Sequence, residues 1–275
     1  MFPLRHGQHV RHLRFSTTDN NCLDAVGQSC SFVNTLHLIV LEPSQPISYG
    51  NLERSFFRLK DQLSSITIDV DLLHESAALL WSLCQLPLLT RLYMRIIGSK
   101  SHLKTNINEL FELIILFPLL ESLFISTTGD VLVDLWCFEQ ILGQYKVLHR
   151  TVHPLKDLSI IGNTSKPFEQ LMTMLAYYCW AVETLTIGRA TPFTLGVYSR
   201  ESFVESLLSQ PWPTCVGSLT QLNVSMIAFP DNRTIARFLD RLQELRGLTT
   251  LRVSLFQVKA LVRYIDGPTS SSRLA

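Results

Sequence analysis

A six-residue pattern that recurs nine times along the chain constrains its fold more than any other feature. The pattern consists of an apolar residue, two variable residues, a second apolar residue, one variable residue and a third apolar residue. Successive copies start 23 to 37 residues apart. Their first residues are Val10, Val33, Leu63, Leu89, Leu120, Leu155, Val182, Leu219 and Leu248. A single match would occur readily by chance in a chain that is 47% hydrophobic, but nine matches at comparable spacing indicate an internal structural repeat.

Each copy predicts a short β-strand, and the segments between copies predict helices. The last three positions of the pattern alternate, so a strand there would bury its apolar side chains on one face and expose the variable ones on the other. The intervening segments space their apolar residues as an amphipathic helix does, for example Phe238 and Leu242. Asp231 is expected to cap that helix, which should begin near Asn232 and stop at Gly247.

Stacking of these units predicts an α/β solenoid with an inner parallel β-sheet and outer helices. One strand-helix unit cannot bury its own apolar face, whereas stacked units share a continuous core. Because helices are wider than strands, the stack should bend into a horseshoe with the sheet on its inner side. We expect residues 1–265 to form this single domain, with about nine repeats, and residues 266–275 to form a polar C-terminal tail.

Composition narrows the classes of partner and compartment. Lysine and arginine total 24 against 23 acidic residues, so the sequence predicts no nucleic-acid partner. The longest dense apolar run, residues 110–120, is about half of what a bilayer requires, and no membrane partner is expected. The N-terminal residues do not form a secretory signal, which predicts a cytoplasmic or nuclear location. The six cysteines show no paired spacing, which favours reduced thiols.

Residues 175–187 resemble a cysteine-containing leucine-rich repeat, of the ribonuclease-inhibitor-like type. In that repeat a helix ends in a cysteine shortly before the strand motif, and Cys179 stands three residues before the first apolar position of its copy. Cys30 and Phe117 stand at the same distance before theirs, whereas Cys84 stands five residues before Leu89. The resemblance implies a leucine-rich-repeat solenoid, which agrees with the fold expected from the repeat itself.

The opening segment, residues 7–15, resembles the start of the repeat region in fungal F-box proteins with leucine-rich repeats. This resemblance implies a non-catalytic protein-protein interaction module, the substrate-recognition part of an F-box-type ubiquitin ligase adaptor. The F-box itself would be a helical segment upstream of Val10, and residues 1–9 contain none. A ubiquitin ligase scaffold is therefore an expected partner only if an F-box lies further upstream.

Two other functions remain open from the sequence. Leucine-rich-repeat regulators of small GTPases have repeat regions of nearly this length, but the known family carries an acidic tail and residues 267–275 contain no acid. A scaffold with no dedicated ligand is equally compatible with the repeat.

The sequence predicts neither an enzyme, nor a cofactor, nor a metal site. His6, His9 and His12 are spaced for one helical face, but an extended segment entering a strand would separate them. His149 and His153 are four residues apart, yet a proline follows directly, and we expect both in a loop. The chain has no glycine-rich phosphate loop and no nucleophile signature.

The variable positions of the pattern should face away from the core, on the concave side of the sheet, and are the candidate binding residues. Arg91, Tyr93, Arg95 and Phe124 form the most promising cluster, because arginine and aromatic side chains are enriched at interface hot spots. The other candidates at variable positions are His12, Arg14, His37, Asp69, Asp157, Asn223 and Arg252. The alternative is that a sheet of this kind exposes some arginine and tyrosine without binding anything.

Overall fold

A computed structural model of the chain covers every copy of the pattern. The structure describes residues 7, 9–16, 20–39, 49–70, 82–83, 85–97, 117–128, 132–133, 135–164, 175, 177–179, 181–188, 218–226 and 232–253. The C-terminal tail, residues 266–275, and the residues His6, Cys84 and Asp231 lie outside the described residues, so what the sequence predicts for them stays a prediction.

The fold is α/β, with one open sheet of nine parallel strands. The strand order in this sheet is β1-β2-β3-β4-β5-β7-β9-β10-β11, and β6 and β8 form a separate parallel pair. The strands are β1 (His12–Ser16), β2 (Thr35–Ile39), β3 (Ser65–Val70), β4 (Arg91–Ile97), β5 (Ser122–Thr128), β6 (Leu132–Val133), β7 (Asp157–Ile161), β8 (Asn163–Thr164), β9 (Thr184–Gly188), β10 (Gln221–Met226) and β11 (Thr250–Arg252). The helices with assigned bounds are α1 (Asn20–Ser29), α2 (Tyr49–Leu59), α3 (Leu135–His149) and α4 (Asn232–Leu242).

Each of the nine copies supplies one strand of the large sheet, which confirms the predicted parallel strands. The strand begins at the third residue of every copy: β1 begins two residues after Val10, and β11 two residues after Leu248. Neighbouring strands pair with equivalent positions opposite each other, so that His37, Thr67 and Tyr93 lie in one row across β2, β3 and β4. The sequence repeat is therefore also a spatial repeat.

The core lies on the face of the sheet that carries the apolar positions of the pattern. Along the middle of the sheet these side chains are at most 3% exposed, as at Ile66, Leu92 and Leu123. Helix residues pack in the same cluster, including Phe56 of α2 and Phe238 of α4. Complete burial of each such side chain stabilises the fold by about 1.5–3 kcal/mol, so this cluster is the main source of stability.

The opposite face carries the variable positions of each copy, and we call it the variable face. It consists of the third and fifth residues of each copy, and of the seventh where the strand continues that far, from His12 and Arg14 on β1 to Thr250 and Arg252 on β11. Most of these side chains are half-buried or exposed, which agrees with the predicted division of the sheet into an apolar and a variable face.

A hydrogen-bond ladder joins each copy to the next where the chain enters the strands. We call this side of the sheet, formed by the second residues of the copies, the ladder edge. At all eight junctions, the carbonyl oxygen of the second residue of one copy accepts two backbone N–H groups from the following copy, at N···O distances of 2.7–3.1 Å. In several copies a side-chain hydroxyl donates to the same carbonyl; Thr90 donates to the Ser64 oxygen at 3.0 Å. The ladder satisfies backbone groups that would otherwise be left unpaired where the chain enters each strand.

A tight turn precedes the strand in six of the copies. The N–H group of the first apolar residue donates to the carbonyl three residues earlier, which belongs to Gly7, Cys30, Leu86, Phe117, Cys179 or Leu245. The prediction that Cys30 and Cys179 occupy equivalent places is confirmed. Leu86 takes this place in the fourth copy, which the position of Cys84 had obscured. At Gly7 a Cβ atom would collide with the carbonyl oxygen of Ser29, so the first turn requires glycine.

The predicted helix ends were less accurate than the strands. Helix α4 begins at Asn232 as expected, but it ends at Leu242 and not at Gly247. Past Leu242 the chain turns so that the Leu245 N–H group bonds to the Leu242 carbonyl and the Leu245 side chain enters the core. The prediction that His149 lies in a loop was wrong, because α3 continues to that residue.

Candidate functional site

Tyr93 of β4 and Phe124 of β5 form a stacked pair on the variable face. The two residues are direct partners in the β4-β5 register. Their ring centroids are 5.7 Å apart and the rings are inclined by 28°. The hydroxyl of Ser122 donates a hydrogen bond to the Tyr93 hydroxyl oxygen at 3.4 Å. The two aromatic side chains that the sequence predicted to cluster are therefore adjacent, and each is only half-buried.

Small side chains surround the stacked pair. Thr67 of β3 is the strand partner of Tyr93, and Ser159 of β7 is the strand partner of Phe124. Ser126 lies two residues beyond Phe124 on the same face of β5. Because each of these neighbouring side chains is shorter than an aromatic side chain, the two rings project above them on both sides.

Arg91 and Arg95 flank Tyr93 along β4, two residues before and two residues after it. Alternation along the strand places all three side chains on the variable face. Arg91 is exposed, and within the described part of the chain no carboxylate lies within ion-pair distance of it. The Arg95 side chain is 56% exposed, and its Nη1 lies 3.8 Å from Oδ2 of Asp69. A long, exposed ion pair of this kind contributes at most about 1 kcal/mol, so both guanidinium groups can take a ligand.

Asp69 is held between Arg95 and His37. Its Oδ2 atom lies 3.5 Å from Nε2 of His37, and its side chain is only 14% exposed. Asp69 is the register partner of Arg95. His37 lies diagonally across from Asp69, because its register partner is Thr67, two residues before Asp69 on β3. The sequence predicted these three residues as members of one face, but their contact depends on the strand register. Alignment of the nine copies row by row would have revealed the Asp69–Arg95 pair.

Of the remaining predicted residues, Asp157 lies on a strand beside the stacked pair, as the register partner of Ser122 on β5, and the others lie farther away. His12 and Arg14 are on the edge strand β1, three strands from β4, or about 14 Å at the usual strand spacing. Asp157 lies on β7 and is exposed. Asn223 and Arg252 are register partners on β10 and β11, at the far end of the sheet.

Asn223 has a local structural role. Its Oδ1 atom accepts hydrogen bonds from the Ser225 backbone N–H at 3.1 Å and from the Ser225 hydroxyl at 2.7 Å. The pairing of β10 with β9 shifts register between Asn223 and Met226, so this side-chain contact stands where the ladder becomes irregular. The carboxamide oxygen is thus already engaged within its own strand.

Charged residues at the ladder edge compensate one another. Lys156 Nζ lies 3.0 Å from Glu121 Oε1 in a hydrogen-bonded ion pair. The pKa of Lys156 is raised above its ordinary value, first by this hydrogen bond and then by the negative charges of Glu121, Glu183 and Asp157, partly opposed by desolvation. Lys156 is therefore protonated at neutral pH and is paired within the protein.

Exposed aromatic residues also occur outside the variable face, and the sequence analysis missed them. Lys60 Nζ lies 4.2 Å from the ring centroid of Phe57 at the end of α2, and Lys146 Nζ lies 4.0 Å from that of Tyr177. The Arg11 guanidinium lies 4.8 Å from the ring of Phe32. The exposure of Phe32 could have been suspected from its position, since it stands just before Val33, the first apolar residue of its copy, and so outside the pattern.

The side chains of Cys30, Cys179, His149 and His153 are among those that the structure describes. Burial raises the pKa of Cys179 to about 12 and also raises the pKa of Cys30, so both thiols favour the protonated form. The rings of His149 and His153 pack on Tyr145 with centroid distances of 4.3 and 4.5 Å. The residues that the structure describes hold no group of three or more histidine, cysteine or acidic side chains arranged to bind a metal ion.

No protein-family model matches this chain, and no curated protein matches it in sequence. None of the described helices is both long and apolar enough to cross a bilayer.

Proposed function

We propose that the chain is a leucine-rich-repeat solenoid that recognises another protein through the variable face and has no catalytic role. The observation that carries the proposal is the Tyr93–Phe124 stack between Arg91 and Arg95, which exposes aromatic and guanidinium groups together on a regular sheet. Such groups supply large contact area and directional hydrogen bonds, and they dominate the energetics of many protein interfaces. Without a partner, a half-exposed aromatic pair of this kind brings the fold little stability.

The repeat architecture supports the leucine-rich-repeat part of the proposal. Each copy contributes one parallel strand, each copy after the first donates the same two backbone hydrogen bonds to the copy before it, and six copies have the same turn before the strand. A structure in which each unit bonds mainly to its neighbours is typical of solenoids, which present extended binding surfaces. The variable face then corresponds to the concave side of the horseshoe.

The narrower role within this proposal is the substrate-recognition part of an F-box-type ubiquitin ligase adaptor. It is supported by the resemblance of residues 7–15 to the repeat region of fungal F-box proteins. The ligase scaffold would be reached only through an F-box upstream of these residues. The stacked pair and its arginines would then bind the protein to be ubiquitinated.

The test is affinity capture from an extract of the source cells, with three forms of the chain as bait. The first is wild type, and the second carries Tyr93→Ala, Arg95→Ala and Phe124→Ala. The matched control carries Tyr177→Ala, Phe57→Ala and Lys60→Ala. It also removes two exposed aromatic rings and one cation, but from outside the variable face.

We expect a partner that wild type and the matched control capture and that the site variant loses. Co-capture of a cullin-type scaffold with that partner would favour the ligase role, and a small GTPase as the partner would favour the regulator instead. Identical captures from all three baits, or a partner lost only with the control variant, would refute the variable face as the binding surface.

A further inference from the structure

We infer that the ligand of the central site is an extended acidic segment of the partner protein. The segment presents an acidic residue, an apolar residue and a second acidic residue at alternate positions, and it lies along β4 on the side of β5. This inference rests on the proposed function, because it names the chemistry of the partner that binds the same site.

The charge of the variable face favours an acidic ligand. Its described third, fifth and seventh positions contain the four arginines Arg14, Arg91, Arg95 and Arg252, against the two aspartates Asp69 and Asp157. The whole chain is almost balanced, with 24 basic and 23 acidic residues. The positive excess is therefore a local property of this face. The neighbouring ladder edge does not reverse it, because its second positions carry two cations, Arg11 and Lys156, against two acids, Glu121 and Glu183.

The spacing of the cations indicates an extended ligand that runs parallel to the strand. Arg91 and Arg95 lie four residues apart on β4, so their Cα atoms are separated by roughly 13 Å, with Tyr93 midway. An extended peptide repeats the same spacing, since its alternate side chains point to one side. Carboxylates at its first and fifth positions can therefore meet Arg91 and Arg95 while the side chain at its third position rests on the stacked rings.

The surroundings of Arg95 decide which side of β4 the segment occupies. On the β3 side Asp69 lies 3.8 Å from Arg95 and would repel a second carboxylate. On the β5 side the register partners of Arg91 and Arg95 are Ser122 and Ser126, which are small and uncharged. Beyond Ser122, Asp157 of β7 is two strands from Arg91, about 10 Å at the usual strand spacing, and so is farther from Arg91 than Asp69 is from Arg95. The ligand therefore lies over β4 and β5, with its apolar side chain against Phe124 and its carboxylates beside the two arginines.

The mode of binding follows from the pairing of β4. This strand is hydrogen-bonded to β3 on one side and to β5 on the other, so its backbone cannot accept an added strand. Recognition must come from side chains alone, in two exposed charge pairs and one apolar contact. Binding of an isolated segment should accordingly be modest in affinity and should weaken as the salt concentration rises.

In the experiment, increasing amounts of the whole chain are added to a fluorescently labelled peptide, Gly-Ser-Glu-Gly-Leu-Gly-Glu-Ser-Gly, and the fluorescence anisotropy of the peptide is measured. One control peptide replaces both glutamates by glutamine. A second has the same composition but places the two glutamates next to each other. A single-stranded polyuridine oligomer, also labelled, reports binding to any flexible polyanion.

Two double variants separate the site from the overall charge. Arg91→Glu with Arg95→Glu reverses the two charges beside the stack. Arg14→Glu with Arg252→Glu reverses two arginines at opposite ends of the same face, three and five strands from β4. Both variants change the net charge equally. Circular dichroism and thermal melting establish that each variant is folded before its binding is compared.

We expect saturable binding of the first peptide and at least about tenfold weaker binding by Arg91→Glu with Arg95→Glu, against about a twofold change in the distant pair. Asp69→Asn should strengthen binding, by about two- to threefold, because it removes the carboxylate that competes for Arg95. The glutamine peptide and the peptide with adjacent glutamates should bind at least about fivefold more weakly than the first.

Several results would overturn the inference. These are an equal loss of peptide affinity in the two double variants, or binding of the glutamine peptide as tight as that of the first peptide. Binding of polyuridine that is tighter than that of the first peptide, or no saturation at chain concentrations on the order of 1 mM, would have the same consequence. A site-dependent partner in the capture experiment together with any of these results would leave the proposed function standing and remove only the acidic ligand. Loss of the captured partner from the matched control alone would instead remove the proposed function.

Discussion

Cys179 and Cys30 occupy equivalent places in two copies of the repeat, yet their environments differ. Cys179 is 2% exposed and belongs to the core, whereas Cys30 is half-buried beside it. Burial removes the water that would solvate a thiolate, which is why the pKa of Cys179 rises to about 12. Burial of this thiol therefore lowers the stability of the fold at alkaline pH.

The free energy of unfolding should fall with alkaline pH on account of Cys179. The pKa of this thiol is about 12 in the folded chain against an ordinary 9.0, so between these values the folded state retains a proton that the unfolded state has lost. Unfolding then becomes easier by about 1.4 kcal/mol per pH unit above about pH 9, and this contribution is constant below that pH. Urea denaturation of wild type and Cys179→Ala at about pH 8, 9 and 10, with reductant, should give a shallower decline in the variant. Parallel declines would contradict the assignment.

Arg150, the residue after α3, has a left-handed backbone with φ of 54°. A residue with a Cβ atom is strained there by roughly 1–2 kcal/mol, whereas glycine is not. Arg150→Gly should therefore raise the free energy of unfolding by about 1 kcal/mol through relief of this strain. The greater flexibility of glycine in the unfolded chain offsets part of this gain. Arg150→Ala is the control, because it removes the same side chain but keeps the strain. Chemical denaturation that ranks alanine at or above glycine would show that the backbone here is not strained.

At the scale of elements, two glycines inside helices predict opposite effects of the same substitution. A Cβ atom on Gly27 of α1 would lie 3.0 Å from the Cα atom of Ser55 on α2, and that backbone cannot easily withdraw. A Cβ atom on Gly143 of α3 would meet Tyr178 at an ordinary 3.6 Å. Glycine inside a helix is less stable than alanine by about 0.5–1 kcal/mol, other things being equal.

Gly143→Ala should accordingly stabilise the chain by about 0.5–1 kcal/mol, and Gly27→Ala should destabilise it by about 1 kcal/mol or more. Thermal melting of the two variants against wild type measures both signs in one experiment. Stabilisation by both substitutions would mean that α1 and α2 can separate slightly without loss. That outcome would show that the close approach of Gly27 to Ser55 does not limit how α1 packs on α2.

The strands could be predicted from the sequence because their signal is local. Alternation at Leu92, Tyr93 and Met94 is enough to assign one side chain to each face, and the same reasoning holds in all nine copies. The end of α4 was not predictable in the same way, because Gly247 looks like a helix stop, whereas the helix ends at Leu242 and the chain then turns with Leu245 buried in the core.

The candidate site was predicted as a set of residues and not as a set of contacts. The face of each residue follows from the parity of its position, so Tyr93 and Phe124 were identified correctly as neighbours on adjacent strands. The His37–Asp69 approach at 3.5 Å depends on which residues are opposite each other and on the reach of two side chains. Those are tertiary properties, and the pattern of one copy does not contain them.

At the scale of the whole molecule, the two faces of one sheet separate stability from recognition. The core cluster extends through described residues from Val33 to Leu245, and each strand of the large sheet except β1 and β11 has a neighbouring strand on both sides. The variable face contributes little to that cluster. In the solenoid that we propose, binding residues can vary while the core remains unchanged.

Leu123 and Phe124 test this separation, because they are consecutive residues on the central strand β5 and point to opposite faces. Leu123 is 3% exposed within the core, whereas Phe124 is half-buried and stacks on Tyr93. Leu123→Ala leaves a cavity and should lower the free energy of unfolding by about 2–5 kcal/mol, whereas Phe124→Ala should lower it by about 1 kcal/mol, the stacking contribution.

Hydrogen exchange shows where each substitution acts. Since the core is continuous, Leu123→Ala should reduce amide protection in β2 and β10 as well as in β5, whereas Phe124→Ala should leave distant protection unchanged. Loss of protection confined to β5 in the Leu123→Ala variant would show that the copies unfold independently, and the sheet would then be a row of separate units instead of one cooperative domain.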